Sequence, residues 1–154
     1  MKKNVLILVI TFLSLIQAFT QTSVPQAVAS AFQAKFPSTQ PVKWEEEEKG
    51  IYEADFKLNK HKTSASFDAS GKWLSTETEI KKNALPDAVR QGIGKAFPDY
   101  EVDEAEKIET PDGLAYEVEL EKEEGGKDIE VEALFSAEGK LLKQSKEEED
   151  GEVD

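Results

Sequence analysis

The segment VPQAVASAFQAKFP at residues 24–37 decides the fold of this chain, because a related segment, LPDAVRQGIGKAFP, returns at residues 85–98. In each segment an apolar residue recurs at every fourth position, which places one apolar stripe along one side of a helix. One proline falls in the first turn, where it costs no hydrogen bond, and a second proline ends the helix at the preceding phenylalanine. Each predicted helix spans about three turns, which is too short to persist alone in water, so it must pack on another element.

Strands with one polar face follow each predicted helix. Residues 52–58, 116–121 and 129–135 alternate apolar side chains with charged ones, which is typical of half-buried antiparallel strands. Asn59-Lys60 and Gly125-Gly126 indicate tight hairpins between such strands. With further strands predicted around residues 42–47, 72–80, 102–109 and 140–145, the fold class is α+β. We expect two tandem units, each a helix followed by a four-stranded antiparallel sheet, with the helices on one face of the sheet.

A second pair of matching segments supports this internal repeat. Residues 67–73 read FDASGKW, and residues 135–140 read FSAEGK. Both copies therefore place a glycine at the end of a turn. The sequence predicts a first repeat over residues 23–82 and a second over residues 83–145. Residues 146–154 have nothing to bury and are predicted to form a disordered acidic tail.

The first twenty residues have the three parts of a secretory signal peptide. Lys2 and Lys3 precede an apolar run over residues 5–16, and small residues at Ala18 and Thr20 both suit cleavage. The apolar run is short for a membrane span, which needs about 20 residues, although an uncleaved anchor is the alternative. We therefore expect a signal peptide at residues 1–20, cleavage near Ala18 to Thr20, and a periplasmic or secreted protein that does not bind a membrane.

The composition excludes several classes of site and partner. The sequence has no cysteine, so disulfides and thiolate metal sites are excluded. It has 32 acidic and 19 basic side chains, and loss of Lys2 and Lys3 with the signal peptide leaves 17 basic ones and a net charge of −15. This charge repels nucleic acid, and it suits a basic partner or cations. A charged surface that only keeps the protein soluble is the alternative interpretation.

The region from residue 23 to residue 145 resembles the PepSY-like family of exported bacterial proteins, which is also described as resembling beta-lactamase inhibitor proteins. The resemblance is carried by Val24-Pro25, Phe36-Pro37, VKWE at residues 42–45, YEADF at residues 52–56, FDASGKW at residues 67–73 and the counterparts of these motifs in the second copy. It implies an extended antiparallel sheet with helices on one side, and residence in the periplasm. It transfers no inhibitory residue to this chain, because no inhibitory loop can be matched.

The sequence carries no recognisable catalytic set. The single histidine, His61, lies beside a hairpin turn between two lysines, where a solvated side chain is expected rather than a catalytic base. Gly92 and Gly94 lie inside a predicted helix and do not form a nucleotide-binding loop, although they could allow close packing. We therefore predict a protein that is not an enzyme, has no cofactor and has no defined metal site.

The candidate binding residues come from the polar faces of the strands. If the helices cover the apolar face, an open acidic face remains, with Trp73 as its aromatic residue. The predicted partner-binding residues are Trp73, Glu53, Asp55, Glu77, Glu117 and Glu119. Packing of Trp73 into the fold is the alternative, while Trp44 is expected in the core. Because His61 has no histidine counterpart in the second copy and Trp73 corresponds to Leu141, the sequence places any specificity in the first unit.

These observations lead to one main functional hypothesis and one alternative. The main hypothesis is a non-enzymatic periplasmic binding or inhibitory module that presents an acidic open sheet face to a protein or peptide partner with basic side chains. The alternative is an envelope protein that binds cations of the calcium type through the same carboxylates.

Overall fold

The computed structural model describes residues 23–41 and 43–146. Within them the chain forms α1 (Gln26–Lys35), β1 (Lys43–Glu48), β2 (Ile51–Leu58), β3 (His61–Asp68), β4 (Trp73–Glu79), a 3₁₀ turn (Lys82–Ala84), α2 (Asp87–Ala96), β5 (Glu101–Thr110), β6 (Gly113–Glu124), β7 (Lys127–Ser136) and β8 (Leu141–Lys146). The predicted signal peptide and residues 147–154 of the predicted tail lie outside the described residues. Lys146 was assigned to the tail by the sequence, but it is the last residue of β8.

The strands form an antiparallel sheet in which hydrogen-bonded neighbours are consecutive in the chain, in the order β1 to β8. The α+β class is therefore confirmed. The hairpin between β2 and β3 turns at Asn59 and Lys60, whose φ angles are 51° and 75°. Two successive positive φ angles are the geometry that gives a two-residue hairpin the same twist as its strands.

The chain divides into two compact units, a first unit that ends at Thr76 and a second unit that begins at Glu77. The division falls inside β4, whereas the sequence places the boundary between the repeats at residues 82 and 83, and that boundary stays a prediction. Each unit contains one α-helix, and each helix ends as the sequence predicts. The amides of Phe36 and Phe97 donate the last helical hydrogen bonds, to the carbonyls of Phe32 and Ile93 at 2.8 and 2.7 Å.

An aromatic cluster forms the core of the first unit. Phe32, from α1, is 2% exposed and lies 5.1 Å from Phe56 and 5.4 Å from Trp44 between ring centroids, in edge-to-face contacts. Around it pack Val28, Ala54, Ala65 and Phe67, all of them buried. The predicted core position of Trp44 is therefore confirmed. Because the apolar side chains of β2 and β3 face α1, their intervening polar residues face away from it.

The core of the second unit is built in the same way but contains more aliphatic residues. Its helical stripe consists of Leu85, Val89, Ile93 and Phe97, each no more than 8% exposed. The stripe packs on the buried residues Ala105, Tyr116, Val118, Leu120, Val131, Ala133 and Phe135 from β5, β6 and β7. The helix stripes read from the sequence are thus the contact faces of both helices.

Glycine allows the turn before the last strand to approach the helix in both units. In the first unit, a Cβ added at Gly71 would lie 2.6 Å from the carbonyl oxygen of Ala27 in α1. In the second unit, a Cβ at Gly139 would lie 2.0 Å from the carbonyl oxygen of Ala88, and one at Gly92 would lie 2.1 Å from the carbonyl oxygen of Gly139. Backbone atoms cannot give way as a flexible side chain can, so these positions exclude larger residues.

Gly92 and Gly94 provide a matched test of this packing, because both lie inside α2 and only Gly92 has a close neighbour. Alanine at either position gains about 1 kcal/mol of helix propensity. We expect Gly94→Ala to raise the free energy of unfolding by up to about 1 kcal/mol and Gly92→Ala to lower it by about 1–3 kcal/mol. Urea unfolding measures both values. Equal stabilisation by the two substitutions would contradict the close contact with Gly139.

Candidate functional site

In each unit the strand face that points away from the helix carries the acidic side chains, and we call it the carboxylate face. In the first unit, Glu53 and Asp55 of β2 alternate with Ala54 and Phe56, which belong to the core. The antiparallel register places Glu45 of β1 directly opposite Glu53. Directly opposite side chains in antiparallel strands have Cβ atoms about 5 Å apart, so two carboxylates face each other at short range.

Glu53 is the most deeply buried acidic side chain on this face, with 5% of its surface exposed. Its Oε2 atom accepts a hydrogen bond of 3.3 Å from the hydroxyl of Ser66, which lies opposite it in β3. Burial, together with the negative charges of Glu47 and Asp55, raises the pKa of Glu53 to about 7, although the Ser66 hydrogen bond opposes the shift. The Glu53 carboxyl group is therefore partly protonated at neutral pH.

The carboxylate face of the first unit also carries lysines. Lys43 pairs with Glu45 and lies opposite Asp55, and Lys57 lies opposite Lys62 beside the hairpin turn. Burial raises the pKa of Asp55, whereas the positive charge of Lys43 opposes that rise. This face is therefore acidic around Glu45 and Glu53 and basic near the β2–β3 hairpin.

The carboxylate face of the second unit carries a larger set of glutamates, which lies beside buried apolar residues such as Leu134. Five pairs of glutamates lie directly opposite each other across its strands. They are Glu101–Glu121, Glu104–Glu119 and Glu106–Glu117 between β5 and β6, and Glu119–Glu132 and Glu121–Glu130 between β6 and β7. Like charges placed directly opposite destabilise a sheet. The hydroxyl of Ser145 donates a 3.1 Å hydrogen bond to Glu132, and Lys143 of β8 supplies a positive charge.

Glu117 occupies the position in the second unit that Glu53 occupies in the first, because both follow the tyrosine of a Tyr-Glu pair in the second strand of their unit. Burial and the negative charges of Glu132 and Glu106 raise the pKa of Glu117 to about 7, and Lys143 opposes the shift. The repeat thus places one carboxyl group of raised pKa at the same strand position in each unit.

Trp73 does not lie among the carboxylates. It packs against the core cluster of the first unit, and the ammonium of Lys35 in α1 lies 3.6 Å from the centroid of its ring system. Its indole N–H donates a 3.0 Å hydrogen bond to the hydroxyl of Thr76, which is 2% exposed. The expectation that Trp73 is the aromatic residue of the acidic face is therefore wrong, and the packed alternative is observed.

The other predicted partner-binding residues lie where the strand alternation places them, but they are less open than expected. Asp55, Glu77, Glu117 and Glu119 are half-buried, and Glu53 is buried. The prediction of an open face is therefore wrong for Glu53. Strand alternation assigns Glu132 to the same face, and the register of β6 and β7 adds that it lies directly opposite Glu119. The involvement of all these residues in partner binding stays a prediction.

Catalytic and metal chemistry find little support in the part of the chain that the structure describes. His61 is exposed and lies opposite Leu58 beside the hairpin turn. No group of three or more histidine or acidic side chains among residues 23–41 and 43–146 is arranged to hold a metal ion. The described helices include none that is long and apolar enough to cross a membrane.

The raised pKa values of Glu53 and Glu117 predict an unusual dependence of stability on pH. Between about pH 4.5 and pH 7 the folded protein binds more protons at these groups than the unfolded chain does, so stability falls as the pH rises. We expect the free energy of unfolding to fall by up to about 5 kcal/mol between pH 5 and pH 8, about half of it from each group. Urea unfolding at several pH values measures this slope.

Urea unfolding of Glu53→Gln at the same pH values separates the contribution of this residue from that of the other ionisable groups. The variant should match the wild type at pH 5, exceed it at pH 8 and show a shallower slope, since its amide never ionises. The exposed Glu48 is the matched control, and Glu48→Gln should retain the wild-type slope. A wild-type stability that rises between pH 5 and pH 8 would contradict the assignment.

Comparisons with known proteins agree with this architecture. A family described as "Putative beta-lactamase-inhibitor-like, PepSY-like" matches twice, at residues 15–61 and 50–143. A crystal structure of a protein from Bacteroides eggerthii described as periplasmic superposes with a TM-score of 0.71 at 21% identity, and the match covers 81% of this chain and 90% of that one.

A second similar crystal structure is that of a protein from Bacteroides fragilis described as BLIP-like. Its TM-score is 0.66 at 27% identity, with 88% of this chain and 94% of that chain covered. A search of curated proteins returned no match. The family match covers most of the sequence, and the solved structures share its fold. The chain therefore belongs to the PepSY-like, beta-lactamase-inhibitor-like family.

Proposed function

We propose that this protein is a non-enzymatic, exported binding or inhibitory module whose carboxylate faces take a protein or peptide partner with basic side chains. Membership of a beta-lactamase-inhibitor-like family and the similarity to a BLIP-like protein support a binding role in general. The similarity to a protein described as periplasmic supports residence in the periplasm, as do the features of the first twenty residues.

The observation that carries the basic partner is the set of five opposed glutamate pairs in the second unit. Carboxylates that lie opposite each other lower the stability of a sheet, and a cationic side chain placed near them lowers their mutual repulsion. Neighbouring strands are about 4.8 Å apart, and residues on one face of a strand repeat every 6.8 Å or so. A strand with lysine or arginine at alternate positions therefore matches the spacing of the carboxylates along the face.

We place the proposed centre of binding in the second unit rather than the first. The sequence favours the first unit because Trp73 occurs only there, but Trp73 packs against α1. The carboxylate face of the first unit is interrupted by Lys43, Lys57 and Lys62. That of the second unit carries the five opposed glutamate pairs, although the buried Leu134 lies opposite Glu117 on it. The residues proposed to contact the partner are Glu117 and Glu119 from the original set, joined by Glu121, Glu130 and Glu132.

Binding of calcium-type cations stays an alternative that no specific observation favours. Among the described residues, no carboxylate group has the arrangement of a metal site. Calcium usually takes six to eight oxygen ligands from a loop or several elements, whereas opposed glutamates on flat strands offer few convergent oxygens.

Binding of an N-acetylated peptide with alternating lysine and threonine, measured by calorimetry at pH 8, tests the proposed function. We expect Glu121→Gln/Glu130→Gln, which neutralises one opposed pair, to weaken binding by about fivefold or more. Affinity should also fall as salt is added, because dissolved ions screen the attraction between opposite charges near the surface.

The matched control is Asp99→Asn/Asp112→Asn, which removes the same charge from exposed residues in two turns outside the strands. This variant should bind the peptide within about twofold of the wild type, because distant surface charges are screened. Equal loss of affinity in both double variants would show that affinity depends only on the net charge of the protein. That result would overturn the proposed binding face. Failure of the wild type to bind at low salt would do the same.

A further inference from the structure

Each unit carries one buried or half-buried carboxyl group at the equivalent position of its carboxylate face, and the surroundings of this group favour its protonated form. Glu53 is 5% exposed, lies opposite Glu45 and accepts a hydrogen bond from Ser66. Glu117 is half-buried, lies opposite Glu106 and is flanked along β6 by Glu119. In each unit the equivalent strand turns a glutamate toward another glutamate, which favours retention of a proton on one of the two.

We propose that Glu53 and Glu117 form a paired proton switch that sets the charge of the carboxylate faces and thereby gates the binding of a cationic partner. This inference rests on the proposed function. In acid, the two carboxyl groups are neutral, the cross-strand repulsion is relieved and the faces are less negative. Toward alkaline pH, both ionise, so each face gains one negative charge, and that of Glu117 lies among the proposed contacts of the partner.

Charged neighbours of the first switch residue lie on β1 and β2. From β1, Glu45 and Glu47 add negative charge, although Lys43 pairs with Glu45. From β2 itself, Asp55 adds negative charge, while β3 contributes the neutral hydroxyl of Ser66. The acidic neighbours outnumber the basic one, so the net field opposes ionisation of Glu53.

The second switch residue has a similar surrounding. Glu106 of β5 and Glu132 of β7 oppose its ionisation, and Lys143 of β8 favours it. Burial acts in the same direction as the two glutamates and is the largest cause of the raised pKa. A partner lysine placed near Glu117 would reverse this balance, because an adjacent cation stabilises the ionised form.

Linkage then requires that a cationic partner and protons compete for the same groups. If binding fully ionises a group whose pKa is about 7, affinity changes up to about tenfold per group between pH 6 and pH 8. Because Glu117 lies among the proposed contacts, we expect the lysine–threonine peptide to bind up to about tenfold more tightly at pH 8 than at pH 6. Binding at pH 7 should release protons, which calorimetry in buffers of different ionisation enthalpy detects.

The decisive variant is Glu53→Gln/Glu117→Gln, whose affinity for the peptide should be nearly the same at pH 6 and pH 8, with little proton release. His61→Asn is the control, because histidine side chains ordinarily change charge in the same pH range. This control should retain the wild-type pH dependence. A wild-type affinity that does not change between pH 6 and pH 8, or a double variant that retains the full change, would overturn the switch while leaving the proposed function intact.

Absence of peptide binding at every pH has a different meaning, because it would overturn the proposed function and the gating with it. Circular dichroism and urea unfolding of the double variant at pH 6 check that its fold is retained. If the double variant does not fold, the single variants Glu53→Gln and Glu117→Gln take its place. Glu117→Gln should then lose most of the proton release at pH 7, because Glu117 is a proposed contact, whereas the buried Glu53 should account for less of it.

Discussion

Packing of a short helix on one face of its strands is the constraint on which the rest of this structure depends. A three-turn helix cannot persist alone, so α1 and α2 each need an apolar strand face, and the phenylalanines and aliphatic residues of the strands are committed to it. Strand alternation then sends every intervening residue to the other face. In a chain with 32 acidic side chains, that second face inevitably brings carboxylates together.

The internal repeat explains why the same chemical feature arises twice. Both units use a glycine turn under the helix, at Gly71 and Gly139, and both place a Tyr-Glu pair in their second strand. The tyrosine packs toward the helix, so the glutamate that follows it points away. A seryl hydroxyl also recurs beside the carboxylates, at Ser66 for Glu53 and at Ser145 for Glu132. These hydrogen bonds stabilise the ionised carboxylates of the two glutamates without adding a positive charge.

The sequence predicts the scaffold well because local rules control it. Helix stripes, proline stops and glycine turns act over a few residues, and each is found where the sequence indicates. Trp73 was misplaced because strict alternation does not hold along β4 and its continuation, where Trp73 and Ile80 both contact the core of their own unit. The burial of Glu53 and the opposed glutamate pairs depend on strand register and on what covers a face, and neither property is local.

The central claim is that the fold places two equivalent glutamates where protons bind near neutral pH. A titration of the glutamate side-chain carboxyl groups by ¹³C NMR measures this property residue by residue, without a partner and without unfolding the protein. The account predicts that Glu53 and Glu117 titrate near pH 7. Titration of both groups near pH 4.5, the ordinary range for glutamate, would contradict the account.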